Sequence, residues 1–288
     1  MTAAIAQAPG RDTARLFVGI RNWGLGGIVV AFLLLVFAWA IAPSAFTSFD
    51  PEVGAFDEAL VPPSLQHPFG TDYLGRDLLA RVIYGARLTL LAGILAVLVG
   101  VVTGSIIGFA AATLPSWVDS VLMRIIDVLL SIPSLLLSLC LLAVVGAGIE
   151  IVSIAVGIGS IALFARFVRA QVLRIKPELF IRSARISGAS YLSVLGRHIL
   201  PNLWVPLTAL VIVEIGQAVL SISVLGYLGY GAPPPTPEWG LIIAEGRAYL
   251  NTAWWLTTLP GLVLVASVAL LSVVQGWLVN RSNSEAQR

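Results

Sequence analysis

The sequence predicts an all-α integral membrane protein with six transmembrane helices. Hydrophobic residues make up 58% of the 288 positions and charged residues 11%, and the mean hydropathy is +0.95. So few polar groups cannot cover a water-soluble globule of this length. A bilayer core of about 30 Å requires about 20 apolar residues per helix. The apolar stretches define six candidate spans, at residues 25–43, 88–112, 119–146, 151–171, 203–226 and 256–280.

The distribution of positive charge predicts that both termini face the cytoplasm. With the tail 1–24 inside, six crossings also place the loop between the fourth and fifth spans and the tail 281–288 inside. This asymmetry is the positive-inside bias of membrane proteins, so the net charge of +2 reflects topology and does not indicate a nucleic-acid partner. Four of the 17 Lys and Arg residues then lie outside, namely Arg76, Arg81, Arg87 and Arg247.

Two segments are predicted on the extracytoplasmic side. Residues 44–87 connect the first two spans and residues 227–255 connect the last two. Neither segment is long enough to form a separate soluble domain. The first span begins too late and is too long for a cleaved signal peptide, so we expect it to remain as an anchor. Residues 88–280 then form a core of five helices.

The residue inventory does not support an enzyme or a metalloprotein. Lys176 is the single lysine and Pro177 follows it, so the chain has no phosphate-binding loop that ends in Gly-Lys-Ser or Gly-Lys-Thr. His67 and His198 fall on opposite sides of the membrane in the predicted topology and share no metal site. Cys140 is the only cysteine, which excludes an internal disulfide. We predict no catalytic residue, no metal site and no cofactor in this chain.

The segment 172–202 is too polar to cross a membrane and is predicted to form two short cytoplasmic helices. Pro177 suits the first position of a helix, and Gly188 supplies a left-handed stop about three turns later. Ser190 suits the N-cap of a second helix, which Pro201 closes before the fifth span. From these features alone, an ordinary basic loop remains the alternative.

This segment resembles the EAA loop of ABC-importer permeases. Arg182, Ser183 and Ala184 occupy the positions of its Glu-Ala-Ala triplet, Gly188 that of its glycine, and the sequence closes with a similar Ile-Leu-Pro. An arginine replaces the usual acid, so a salt bridge made by that acid does not carry over to Arg182. The resemblance implies that the segment couples the chain to cytoplasmic ATPases through Arg182, Ser183, Ala184, Gly188, Ala189, Arg197, Leu200 and Pro201.

Three further stretches make the resemblance specific to the dipeptide, oligopeptide and nickel branch of these permeases, of the second-subunit type. They are residues 67–90, 122–137 and 225–262. The resemblance implies a type I ABC importer permease fold, a prokaryotic inner membrane, and import of di- or oligopeptides. Import of nickel or a metal chelate is the alternative within that branch. A self-sufficient channel or secondary transporter is the alternative outside it, but the sequence shows no convincing pair of repeated halves with broken helices.

The resemblance also implies the partners of the chain. A homologous permease subunit completes the pathway, two cytoplasmic ATPase subunits bind ATP and Mg, and an extracytoplasmic substrate-binding protein delivers the cargo. Three acidic and basic residues before the second span are candidates for contact with that binding protein. The alternative for these three, Asp72, Arg76 and Asp77, is that they pair with each other at the entrance to a helix. The candidate contacts with the binding protein are Asp72, Arg76, Asp77, Glu238, Trp239 and Glu245.

Ionisable residues within the predicted spans are the candidates for the transport pathway, because a charge in a bilayer is costly and often functional. Glu214 lies in the fifth span with Gln217 three residues later, and we predict that they face the pathway or a partner subunit. Hydrogen bonding to neighbouring helices is the alternative for Glu214. Asp127 lies near the inner end of the third span, where a structural ion network is the alternative to contact with substrate.

Overall fold

The computed structural model describes residues 23–175, 197 and 199–286. The predicted coupling residues Arg182, Ser183, Ala184, Gly188 and Ala189 lie outside these ranges. The described part contains eight α-helices, which are α1 (Trp23–Ile41), α2 (Leu78–Thr113), α3 (Ser116–Ser131), α4 (Ser134–Val145), α5 (Ile149–Ile175), α6 (Leu200–Tyr227), α7 (Trp239–Gly246) and α8 (Trp255–Ala286).

Four of these helices are long and apolar enough to cross a bilayer. They are α2, α5, α6 and the stretch Trp255–Val279 of α8. The helices α3 and α4 form one further apolar segment, with a bend of 90° between them. In α1 the apolar stretch Gly26–Ile41 is shorter. The described part of the chain therefore holds four spans, or five if the bent pair counts as one, and it confirms an all-helical membrane protein.

The break between α3 and α4 interrupts the continuous span that was predicted at 119–146. Pro133 has no backbone N–H and disfavours helical geometry in the residue before it. Ile132 accordingly has an extended backbone, with φ −95° and ψ 126°. The proline therefore ends one helix and begins the next, and the chain changes direction inside the apolar segment.

The helix α2 begins ten residues before the span predicted at 88–112. Asp77 is its N-cap, and the carboxylate Oδ1 accepts a hydrogen bond from the backbone N–H of Ala80 at 2.6 Å. The other carboxylate oxygen lies 2.8 Å from Nδ1 of the buried His67. The end of the predicted extracytoplasmic segment 44–87 is thus the first part of a long helix, whose start is fixed by a cap that hydropathy does not reveal.

The most extensive helix contact in the described chain joins α2 to α5. A Cβ atom added to Gly104 would lie 2.6 Å from both the carbonyl oxygen of Ile161 and the Cβ of Phe164. A Cβ added to Gly157 on the facing helix would lie 2.6 Å from the carbonyl oxygen of Ala96. Small residues let helix backbones approach closely in a membrane, where the hydrophobic effect does not drive helices together. This contact fixes α5, one face of which lines the site described below.

A buried network of charges ties the loop before α2 to α7. Arg76 Nε donates to Asp72 Oδ2 at 2.6 Å, and Arg81 Nη2 donates to Glu245 Oε2 at 2.8 Å. The two pairs are linked, because Arg76 Nη2 lies 3.4 Å from the same Glu245 oxygen. Arg76 is 1% exposed and Arg81 is 0% exposed. Two cations and two carboxylates thus compensate each other away from water, where an unpaired charge would be strongly destabilising.

Trp239 and Glu238 hold α7 against α2. The buried Trp239 indole donates from Nε1 to the carbonyl oxygen of Val82 at 2.9 Å. The Glu238 carboxylate caps α7 by accepting hydrogen bonds from the backbone N–H groups of Gly240 and Leu241, at 2.8 and 2.9 Å. Burial raises the pKa of Glu238 from its ordinary value of 4.5 to about 7, because removal from water disfavours the charged form of a carboxyl group.

The residues predicted to contact a binding protein do not form an exposed surface in this structure. The charged members form ion pairs within the chain or cap helices. Asp72 and Arg76 pair with each other, as in the alternative role, whereas Asp77 contacts His67 and caps α2. Glu245 has 13% of its side chain exposed. The other five are at most 4% exposed, and they are Asp72, Arg76, Asp77, Glu238 and Trp239.

Replacing Gly104 with alanine is expected to lower the thermal stability of the protein, because the added Cβ overlaps α5. Overpacking of this kind costs about 1–3 kcal/mol. Gly276 in α8 is a matched control, since an added Cβ there meets nothing within 4 Å. In detergent, the unfolding midpoint should fall for Gly104→Ala and not for Gly276→Ala. Equal midpoints would contradict the close contact between α2 and α5.

The ionisation of Glu238 is expected to lower the stability of the protein as the pH rises. The pKa of Glu238 is about 7 in the folded protein, whereas the ordinary value of 4.5 applies to the unfolded chain. Between these two pH values, the folded protein therefore binds more protons than the unfolded chain. The stabilisation is therefore fully present below pH 4.5 and is lost as the pH rises through about 7.

The variant Glu238→Gln tests this dependence, because an amide does not titrate. It also loses one of the two capping acceptors, so its unfolding midpoint should be lower than that of the wild type at acid pH. Midpoints measured across the same pH range should fall less steeply in Glu238→Gln than in the wild type. Glu150→Gln, which removes an exposed carboxylate, should keep the wild-type slope. An unchanged slope in Glu238→Gln would show that Glu238 does not titrate in this range.

Candidate functional site

A cavity of about 390 Å³ lies among α3, α4, α5 and α6, in the apolar part of the chain. Six of its twelve described lining residues are polar and the others are apolar or glycine, so the lining combines apolar surface with groups that can orient a ligand. The polar residues of the described lining are Ser134 and Ser138 of α4, Ser160 of α5, and Glu214, Gln217 and Ser221 of α6.

The helical repeat brings the polar residues of α6 to one face. Gln217 follows Glu214 by three residues and Ser221 follows Gln217 by four, which are the spacings of neighbours on a helix surface. Glu214 lies at the middle of the 28-residue α6. At 1.5 Å per residue it is about 20 Å from either end of the helix. The cavity therefore lies at mid-depth of this span.

The Glu214 carboxylate has one hydrogen bond from the described residues. Ser160 Oγ donates to Glu214 Oε2 at 3.2 Å, and within the described chain Oε1 receives no hydrogen bond. None of the described lining residues is Lys, Arg or His. The predicted bonding to a neighbouring helix is present, but it satisfies only part of the acceptor capacity of an ionised carboxylate.

The break between α3 and α4 shapes one side of the cavity. Leu130 lies on α3 just before the break and Ser134 is the first residue of α4 after it, and both line the cavity. A Cβ added to Gly159 of α5 would lie 3.4 Å from Ser134 Cβ. The start of α4 therefore packs at ordinary contact distance from α5.

Asp127, the third predicted pathway residue, does not line this cavity. It forms an ion pair with Arg166 of α5, and the two side chains are 52% and 57% exposed. Nearby, Arg169 donates two hydrogen bonds to the Asp119 carboxylate, from Nε and Nη2, each at 2.6 Å. The structure therefore brings Glu214 and Gln217 together and places Asp127 in an ion network between α3 and α5, which was its alternative role.

The described end of the predicted coupling segment lies beside α2 and α5. Arg197 and Pro201 are exposed and Leu200 is 45% exposed. Ile199 and Leu203 are buried in a cluster with residues of α2 and α5. The exposed side chains at the start of α6 are thus available to another subunit, while buried neighbours anchor the helix.

The serines that line the cavity were not among the residues predicted from the sequence. Serine is common in membrane helices because its hydroxyl bonds back to the preceding turn, as Ser138 does to the carbonyl oxygen of Ser134 at 3.0 Å. The four-residue spacing of those two serines placed them on one face of a helix.

Three bacterial relatives are similar to the chain over most of its length. The di/tripeptide transport system permease protein DppC of Pseudomonas aeruginosa (strain UCBPP-PA14) is 37% identical over 88% of this chain and 86% of that protein. The glutathione transport system permease protein GsiD of Escherichia coli O6:K15:H31 is 40% identical over 86% and 80%. A putative peptide transport system permease protein of Brucella suis biovar 1 is 36% identical over 94% and 90%.

The fold is similar to that of a solved importer. A chain of the inward-facing MetNI methionine ABC transporter matches with a TM-score of 0.56 and 19% sequence identity. The match covers 71% of this chain and 95% of that chain. At this level of identity the likeness shows the fold alone, and it fits the type I importer permease fold that the sequence predicted.

Residues 100–284 match the family described as binding-protein-dependent transport system inner membrane component. This range includes more than half of the 288 residues and all of α3 to α7. Members of this family are non-catalytic membrane subunits of ABC importers, which work with separate ATPase subunits and a substrate-binding protein. The chain belongs to this family and is a multi-pass permease subunit of a bacterial inner membrane.

Proposed function

We propose that this permease subunit imports di- or oligopeptides and that the cavity around Glu214 is part of their path. The observation that carries the substrate class is the similarity, over 88% of the chain, to a permease of a di/tripeptide transport system. The similarity to a permease of a glutathione transport system supports the same class, because glutathione is itself a tripeptide.

The depth and polarity of the cavity support its place in the path. Its lining contains the carboxylate of Glu214, the amide of Gln217 and several serine hydroxyls, at the depth of the middle of α6. Lipid offers no hydrogen-bond partner at this depth. A carboxylate such as that of Glu214 is costly on a lipid-facing surface. Water or a passing polar substrate compensates these groups better than a lipid tail does.

A homologous permease subunit completes the pathway in this proposal. The ion pair of Asp127 and Arg166 is more than half exposed although it lies on apolar helices. Exposed charged side chains of this kind are stable in contact with a partner subunit or with water, and they are costly in contact with lipid. The surface around α3 is therefore the side on which we place the second subunit.

The finer topology in this proposal has six spans and both termini in the cytoplasm. The helix α1 supplies the first span, and the pair α3 and α4 supplies the third. Arg166, Arg169 and Arg174 cluster toward the C-terminal end of α5, whereas Arg76 and Arg81 at the other side are neutralised by buried carboxylates. The concentration of arginine at this end of α5 supports a cytoplasmic location for the segment between α5 and α6.

Two cytoplasmic ATPase subunits bind ATP and Mg and act on this segment. The buried Ile199 and Leu203 join the start of α6 to the inner ends of α2 and α5. A displacement of the segment would therefore move α6 as a packed helix, and Glu214 with it. Motions of packed helices between two arrangements are a common form of such transitions. The substrate-binding protein delivers the peptide from the opposite side.

The chemistry of the cavity does not favour the nickel alternative. Nickel(II) prefers imidazole and other nitrogen-rich ligand sets. The described lining of the cavity has one carboxylate, one amide and hydroxyl groups, and it contains no His or Cys.

Bulky charged side chains at Ala184 or Gly188 are expected to uncouple ATP hydrolysis from uptake. We predict that Ala184→Glu and Gly188→Glu assemble in the membrane and lose peptide uptake, while the ATPase subunits continue to hydrolyse ATP. Ala184→Ser is the matched control, since it keeps a small side chain and should retain uptake. Uptake by proteoliposomes that contain the whole complex measures the effect. Full uptake by both charged variants would contradict the coupling role.

The substrate class has its own test. The cognate binding protein, purified from cells and analysed by mass spectrometry, should hold short peptides. When it is loaded with peptide, it should stimulate ATP hydrolysis by the reconstituted complex, and nickel ions should not. A binding protein that holds a metal chelate and no peptide would contradict the proposed function.

A further inference from the structure

We propose that the cavity around Glu214 binds the cationic amino group of a transported peptide, with the Glu214 carboxylate as its counter-ion. This inference rests on the proposed peptide function and specifies which part of the cargo the membrane subunit recognises. The recognised group is the free amino terminus, which every unmodified peptide has.

The charge balance of the cavity is the first argument. Ser160 donates to one oxygen of the half-buried Glu214 carboxylate, and within the described residues the other oxygen accepts nothing. The described lining contributes no Lys, Arg or His. An ionised carboxylate is only an acceptor, so the occupant of the cavity supplies the missing donor and the compensating positive charge.

The nearby arginines of α5 are already engaged elsewhere. Arg166 pairs with Asp127 of α3, and Arg169 holds both oxygens of Asp119. These contacts neutralise the first two of the three arginines that follow Ser160 on α5. Glu214 therefore differs from Asp119 and Asp127, because its counter-ion does not come from the described chain.

The other polar groups of the cavity suit the main chain of a peptide. The Gln217 amide and the hydroxyls of Ser134 and Ser221 each donate and accept hydrogen bonds, as a peptide group does. The volume of about 390 Å³ lies within the range of about 300–1,000 Å³ for small-molecule pockets. A site that binds the amino terminus and main-chain amides accepts peptides of varied sequence.

Charge-selective labelling of a cysteine in the cavity tests the proposal. Cys140 is the only cysteine of the chain, so Cys140→Ala with Ser221→Cys places a single thiol in the same cavity as Glu214, about two helical turns away. The assembled complex in nanodiscs is treated with a trimethylammonium methanethiosulfonate or its sulfonate analogue, and the mass of this chain reports modification. The cationic reagent should react faster by about tenfold, after correction for the rates with a free thiol, because the carboxylate attracts it.

Two substitutions at position 214 assign this preference to the carboxylate. Glu214→Gln should reduce the rate ratio to that of a free thiol, and Glu214→Asp, which keeps the charge, should retain the preference. A neutral methyl reagent should react equally in all three forms, which shows that the cavity remains intact. The proposal is overturned if Glu214→Gln keeps the ratio, or if neither charged reagent reaches the thiol.

Peptides then identify the recognised group. The dipeptide alanylalanine should slow labelling by the cationic reagent, and its N-acetylated form should not. Glu214→Gln should remove the difference. Equal protection by both peptides would overturn the recognition of the amino group. Peptide uptake by the wild-type complex is measured in parallel, so a complex with charge-selective labelling but no peptide uptake would refute the peptide function and leave the cationic site standing.

Discussion

A charge within a bilayer is stable only when another charge, a hydrogen-bonding group or water compensates it, and this constraint organises the described chain. At the start of α2, Arg81 is fully buried against Glu245, 164 residues away in sequence. Toward the C-terminal end of α5, Arg169 holds Asp119 of α3 through two hydrogen bonds. The interactions that neutralise charge thus also join distant segments and fix the helix ends.

Between these ends, the structure combines a rigid helix pair with a helix that reaches both the cavity and the coupling segment. The glycines of α2 and α5 bring their backbones too close for any side chain at Gly104. The helix α6 begins in a buried cluster with these two helices and carries Glu214 at its middle. A helix that packs as a unit transmits a displacement at its start along its length. The helix α6 therefore links the cavity to the segment on which we propose that the ATPases act.

The apolar stretches were predictable from the sequence, because the preference for lipid depends on each residue and its near neighbours. The buried network of charges between the start of α2 and α7 was not, since Arg76 and Glu245 are 169 residues apart and only the fold brings them together. Charged residues that are exposed in a loop and charged residues that are buried in a network are the same residue types, so the sequence alone does not distinguish them. The span at 119–146 was predicted to be continuous although it is broken at Pro133, because hydropathy does not register the backbone preference of a single proline. For the cavity, the sequence identified the charged residue Glu214 and missed the serines, because hydroxyls in membrane helices usually bond to their own backbone.

The incomplete bonding of Glu214 fits a transport site better than a structural one. A carboxylate whose two oxygens both accept hydrogen bonds, such as that of Asp72 with its two backbone donors and an arginine, has little capacity left for another partner. Glu214 keeps one oxygen without a hydrogen bond from the described residues and faces a cavity. A path must bind its cargo well enough to admit it and weakly enough to release it. One carboxylate, oriented by one serine in a roomy cavity, meets both requirements.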